Sequence, residues 1–116
     1  MSTAETGKRG EQRAERYLRQ NGCRILAKNY RAGRHEIDLI AREGATDTIV
    51  FVEVKTRTST RFGRPMEAVN AKKQRFLRLA AEQWLMENDA AEHAARFDVI
   101  EVFEPNGEIS RIIDAF

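Results

Sequence analysis

The run Thr48-Ile49-Val50-Phe51-Val52-Glu53-Val54-Lys55 constrains the fold more than any other part of the chain. β-Branched and aromatic side chains dominate it and neither Gly nor Pro interrupts it, so it reads as a strand. Alternation places Ile49, Phe51, Glu53 and Lys55 on one face and Val50, Val52 and Val54 on the other. Both faces are mostly apolar, which calls for a strand covered on both sides by helices. Its polar end is the anomaly. Glu53 and Lys55 lie side by side, roughly 6.6 Å apart along the strand. Burying such a pair is costly unless an ion or partner uses it.

The rest of the pattern supplies the covering layers. A capping box at Ser2-Thr3-Ala4-Glu5 opens a helix that runs to about Asn21, with Gly22 just past the end. Residues 23–31 and 36–41 read as strands separated by a turn at Gly33-Arg34, and the short link through Gly44 makes residues 36–55 a hairpin. Residues 56–64 form a flexible basic loop, and Pro65 opens a helical region. The main helix covers 71–88, with an apolar stripe of Phe76, Leu79, Ala80 and Trp84 that Leu77 and Leu85 broaden. Strands at 97–103 and 108–113 flank the turn Pro105-Asn106-Gly107. Helix, three strands, helix and two strands make an α/β domain with a mixed central β-sheet and helices on its faces. At 116 residues this is one domain.

Composition excludes several classes. No apolar run reaches the roughly 18 residues needed to cross a bilayer, and the polar segment 1–15 lacks the apolar core of a secretory signal. One cysteine, Cys23, forms no intrachain disulfide, fits a reducing cytoplasm and reads as a small buried hydrophobe. With only two distant histidines besides, a zinc site is not expected. The net charge of +2 hides strong segregation: residues 1–35 carry +6, 36–54 carry −4, 55–80 carry +7 and 81–116 carry −7. Basic segments around a short acidic one suit a protein that handles a polyanion. Solvated helix faces with compensating charge would give the same totals.

Within the acidic segment, Asp38 stands on the strand that precedes Glu53. Alternation sets Ile37 and Leu39 on one face, Asp38 and Ile40 on the other, and the hairpin brings Asp38 within reach of Glu53. Magnesium takes hard oxygen ligands and keeps several waters, so Asp38 and Glu53 suffice as its protein carboxylates, and Lys55 is placed to assist an attacking water. With 13 Glu and 5 Lys in the chain, about 0.6 Glu-x-Lys triplets arise by chance. A strand-end salt bridge is therefore the plain alternative. Gly7, Gly10, Glu11, Ala14 and Leu18 share one stripe of the first helix, which lets it approach the sheet closely and turns an acid inward. Glu11 then either joins the site or pairs with Arg13 or Arg16. Glu36 shares the Asp38 face at a distance, and is either a further ligand or simply exposed. His35 and His93 read as surface residues. Arg9, Arg31, Arg34, Arg57, Arg61, Arg64, Lys72 and Lys73 are the cations expected to hold a phosphate backbone; Lys72 and Lys73, with Arg75 and Arg78, also make an ordinary solvated helix face.

Taken together, Gly7-Lys8-Arg9-Gly10-Glu11, Asn29-Tyr30-Arg31, Glu36-Ile37-Asp38-Leu39-Ile40-Ala41, Phe51-Val52-Glu53-Val54-Lys55-Thr56-Arg57, Lys72 and Arg96-Phe97-Asp98-Val99 resemble the YraN family of bacterial proteins, from about Gly7 to Val102. The resemblance implies a three-layer, restriction-endonuclease-like core, similar to archaeal Holliday-junction resolvases. It implies a catalytic Asp38, Glu53 and Lys55, with Glu11 joining Asp38 and Glu53 around Mg2+ or Mn2+. Nucleic acid, DNA or RNA, becomes the expected partner, and junction-cleaving relatives point to a homodimer. The chain departs from the pattern at His35, where glycine is usual and a side chain could crowd the site, and at Ile37, where nucleases often carry proline. The expected function is a metal-dependent nuclease. The rival readings are a non-catalytic nucleic-acid-binding module of nuclease descent and a protein-interaction adaptor using the acidic C-terminal quarter.

Overall fold

The computed structural model describes residues 3–57, 70–104 and 106–116, apart from the side chains of Thr3, Ala4 and Thr6. Ser2 of the expected capping box, the loop residues Arg61 and Arg64, and Pro65 lie outside the described residues. The elements run α1 (Thr3–Gln20), β1 (Cys23–Ala32), β2 (His35–Glu43), β3 (Thr48–Arg57), α2 (Ala71–Glu87), β4 (Ala95–Phe103) and β5 (Glu108–Ile112). Five strands form one sheet in the order β1-β2-β3-β4-β5. The β1–β2–β3 meander is antiparallel, β3 and β4 are parallel across the α2 connection, and β5 returns antiparallel. The α/β class and the mixed sheet with helices on its faces are as expected.

Each helix seals one side. On one, Ala14 and Leu18 of α1 pack over Leu39, Ala41, Val50, Val52, Ile100 and Val102. On the other, Leu77, Ala80, Ala81 and Trp84 of α2 pack over Ile37, Ile40, Ile49, Phe51, Phe97 and Val99. β3 therefore needs apolar residues on both faces, and their burial against both helices stabilises the fold. Phe51 anchors the α2 side, with its ring centroid 6.0 Å from that of Trp84 and 5.3 Å from that of Phe97.

Small residues set the α1 approach at one position rather than two. A Cβ at Gly10 would overlap Thr56 Oγ1, so glycine is required there, whereas at Gly7 a Cβ would meet nothing within 4 Å. In α2 the stripe is rotated from the expected one. Leu79 is 61% exposed while Leu77 and Ala81 are buried, because the 3.6-residue period centres the buried face on Leu77, Ala80, Ala81 and Trp84. The basic loop also begins later than expected, since Thr56 and Arg57 continue β3 and pair with Val102 and Phe103. Cys23 is buried, as its composition class suggests.

Two irregularities on the edge side of the sheet shape its polar end. Ile37 and Ile40 pack against α2 whereas Leu39 and Ala41 pack against α1, so alternation breaks at Asp38. Ile37 and Leu39 lie on opposite faces, contrary to the strict alternation expected of β2. Beside the break, between the pairs Lys28–Leu39 and Tyr30–Ile37, Asn29 adopts φ 51°. Asn tolerates this left-handed conformation better than most residues, and it re-aims its side chain.

Candidate metal and phosphate site

The site forms where the sheet splits. β2 and β3 stay paired from Glu43–Thr48 to Leu39–Val52 and no further, while β3 continues along β4 to Arg57. Past that point β3 has backbone donors facing a gap, and Asp38 Oδ2 fills it by accepting from Val54 N at 2.8 Å. The fork thus ties Asp38 to the backbone between Glu53 and Lys55, bringing the three residues singled out in the sequence to one place.

Glu11 arrives beside Asp38 from the sheet-facing stripe of α1. One oxygen each from Glu11, Glu36 and Asp38 lies within 4.8 Å of the others, a set with the geometry to hold a metal ion. Asn29 braces the set. Its amide nitrogen, oriented by this network, donates to Glu36 at 2.8 Å and to Glu11 at 3.2 Å. Burial, the Glu53 charge and the Glu11 and Glu36 charges raise the Asp38 carboxyl to about 7, against the lowering effect of the Val54 bond. The Glu11 carboxyl is likewise raised, by burial first and by Glu36 and Glu53 after it. Mutually repelling carboxylates with raised proton affinity, all hard oxygen donors, fit a divalent ion of the magnesium kind.

Glu53 is differently engaged. It is 7% exposed, and its Oε1 accepts from Lys73 Nζ at 2.9 Å, with Lys55 Nζ at 3.5 Å. Burial pushes the Lys55 amine down, Glu53 opposes this, and the neighbouring Lys73 charge adds to the lowering. For Lys73, burial works against the charge, but the hydrogen bond to Glu53 outweighs it and the amine is held up. The arrangement thus has two compartments: three carboxylates toward α1, and a carboxylate with two lysines toward α2.

Several residues sit otherwise than the sequence indicates. Glu36, expected at a distance, belongs to the carboxylate set; the i, i+2 spacing of Glu36 and Asp38 was the available signal, but the break in β2 and the turn of Asn29 are what bring it close. Glu11 does not pair with Arg13, which instead reaches Glu104 at 3.2 Å. Lys73 is part-exposed and pairs with the buried Glu53 across the α2–β3 gap. Arg9 pairs with Glu104 at 3.0 Å and Arg57 with Glu101 at 2.8 Å, while Arg31 approaches Glu36 at 3.4 Å. Arg34 is exposed in the β1–β2 turn, and Lys72 is exposed with its Nζ 6.0 Å from the Phe76 ring centroid. His35 does not crowd the carboxylates: its ring stacks on Phe76 of α2 at 4.0 Å, on the far side of β2 from Glu36.

Comparison with known proteins places this geometry in a family. The model for the uncharacterised protein family UPF0102 matches residues 10–102, and the chain belongs to that family. Relatives carrying the family name include a protein of Alkaliphilus oremlandii, 50% identical over 111 residues, covering 92% of this chain and 93% of its own. One from Caldicellulosiruptor saccharolyticus is 46% identical over 103 residues, covering 89% and 86%. Another, from Clostridioides difficile, is 41% identical across the full length of both chains, 116 residues. Among solved structures the chain is similar to SfsA of Pyrococcus furiosus in complex with Ca2+, at 18% identity and a TM-score of 0.40, covering 97% of this chain and spanning 64% of that one.

Proposed function

We propose that this protein is a metal-dependent nuclease whose metal is held by Glu11, Glu36 and Asp38, with Glu53 joining when the ion binds, and whose chemistry is assisted by Lys55. The observation that carries the reading is the convergence of Glu11, Glu36 and Asp38, one oxygen of each lying within 4.8 Å of the others, where burial and the neighbouring acids raise the Asp38 carboxyl. A chain that had no use for a cation there would gain stability by replacing one of those acids. Bound Mg2+ or Mn2+ would polarise a phosphodiester and lower the pKa of an attacking water.

The chain's own residues supply the rest. Val54 N–H holds Asp38 in the fork and fixes the direction in which its free oxygen points. Asn29 orients Glu11 and Glu36. Burial pushes the Lys55 amine down, so its neutral form, which can accept a proton from water, is more populated, while its protonated form steadies developing phosphate charge. Glu53 keeps Lys55 aimed at that position. The adaptor reading loses support, because Asp98, Glu101 and Glu104 of the acidic C-terminal quarter are engaged within the fold by Arg96, Arg111, Arg57, Arg9 and Arg13.

The test is a cleavage assay on junction, flap, single-stranded DNA and RNA substrates with Mg2+ or Mn2+, comparing wild type with Asp38→Ala, Glu53→Ala and Lys55→Ala. Metal-dependent cutting that falls by about 10²-fold or more in each variant is expected. Salt-sensitive binding without cutting in any of the proteins would instead establish a binding module, and equal residual cutting in all would expose a contaminant.

A further inference from the structure

Lys73 is the residue in this region that neither the motif nor the acid set explains. It lies in the first turn of α2, which Asn70 caps: the Asn70 side-chain oxygen accepts from the backbone N of Lys73 itself at 2.9 Å. A second contact, the stack of His35 on Phe76, docks the same end of the helix against β2. From this fixed base the Lys73 side chain reaches across to β3, where Nζ lies 2.9 Å from Glu53 Oε1. Lys55 is already beside that oxygen at 3.5 Å. One buried carboxylate thus faces two ammonium groups, while the neighbouring set of three carboxylates has, among the described residues, no direct lysine or arginine ion pair except that of the exposed Arg31 with Glu36. Cation and anion are unequally divided across a small site.

We propose that Lys73 is a tethered counter-cation for Glu53, standing where a divalent ion would claim that carboxylate and giving it up when the ion binds, so that its ammonium becomes free for the phosphate. The inference rests on the metal-site reading and adds to it a positioning residue that acts through Glu53. An ammonium on a long flexible stem suits the part, because it swings away without disturbing the helix, whereas a guanidinium would hold the carboxylate with a rigid fork. Part-exposed, the Lys73 side chain has solvent and substrate to move into.

The experiment measures binding of Mn2+ alone by calorimetry to wild type, Lys73→Met, Lys73→Arg, Asp38→Asn and Arg24→Met, the last removing an exposed charge at the opposite end of β1. Lys73→Met is expected to bind Mn2+ about fivefold more tightly than wild type, the equilibrium counterpart of releasing one part-exposed ion pair. Lys73→Arg and Arg24→Met should not gain affinity, and Asp38→Asn should lose it. A parallel Mg2+ titration of wild type labelled with ¹³C at lysine Cε is expected to move the Lys73 resonance along the binding curve. Lys73→Met affinity equal to or weaker than wild type, with wild-type binding still lost in Asp38→Asn, would overturn the counter-cation alone. No Mn2+ binding by wild type would overturn it together with the nuclease reading. Should Lys73→Met fail to fold, a Lys73 resonance unmoved at saturating Mg2+ decides against the proposal.

Discussion

Asp38 concentrates the conflict between stability and function into one side chain. Its carboxyl, raised to about 7 by burial and by Glu53, stands well above the 3.8 of a free aspartate. Between those values the folded state binds a proton that the unfolded chain has already lost. The contribution of Asp38 to stability therefore falls as pH rises across that window and is level above it. Without metal, Asp38→Asn should be more stable than wild type by about 1–2 kcal/mol at pH 8, with the gain shrinking toward pH 5; urea unfolding at the two pH values checks this. Mn2+ affinity of wild type should run the other way, rising to about pH 7 as the proton leaves. Asn29 gives a second residue-scale outcome. Asn29→Gly keeps the φ of 51° accessible, whereas Asn29→Ala must hold it against its Cβ, so the alanine variant should be less stable than the glycine variant by about 1 kcal/mol in the same assay.

At the scale of elements, two strand ends show how charge is accommodated in this sheet. Where β2 and β3 part, a carboxylate replaces the missing ladder partner. Where β4 meets β5, the fully buried Asp98 accepts from Arg96 and Arg111, each through two nitrogens, and from the backbone N of Asp114 at 3.0 Å. Glu43 of β2 closes that network through Arg96 at 2.9 Å. Its carboxyl is held down to about 2 by the hydrogen bonds from Arg96 and Thr46. Asp98→Ala would leave two arginines facing an empty interior and should cost about 3–5 kcal/mol, read from the denaturation midpoint. The depressed Glu43 value has the opposite sign from Asp38: its stabilisation is present above 4.5 and is lost as pH falls toward 2.

Over the whole molecule, the basic segments seen in the sequence divide into two populations. Arg9, Arg13 and Arg57 bind the acidic C-terminal strands and hold α1 and β3 to β4. Lys8, Arg34 and Lys72 are exposed and lie near site residues in the chain, Lys8 one turn before Glu11, Arg34 two residues before Glu36 and Lys72 beside Lys73. Nucleic-acid affinity should therefore depend on the second group. Arg34→Ala with Lys72→Ala is expected to lower the slope of log affinity against log salt by about 2 while leaving the melting temperature nearly unchanged. Arg9→Ala should do the reverse, costing on the order of 1 kcal/mol of stability with little change of slope. Fluorescence anisotropy across a salt series, beside thermal melts, separates the two.

Much of this was legible in the chain before folding. Hydrophobic period determined the two helices and five strands, since a strand apolar on both faces and a helix with a buried stripe have few other solutions. The spacing of Glu53 and Lys55 and the inward position of Glu11 followed from the 2.0 and 3.6 periods alone. What the tertiary structure decided lies wherever the period breaks or a contact joins distant segments. The turn of β2 at Asp38, with the left-handed Asn29 beside it, brought Glu36 into the carboxylate set, and local propensity carries no trace of that. Lys73 is 20 residues from Glu53, and only the crossover that returns α2 over the sheet sets its ammonium on that carboxylate. The trio of Asp38, Glu53 and Lys55 is a property of sequence; its division into a carboxylate side and a lysine side is a property of the fold, because burial and long-range pairing, not spacing, determine which charges meet.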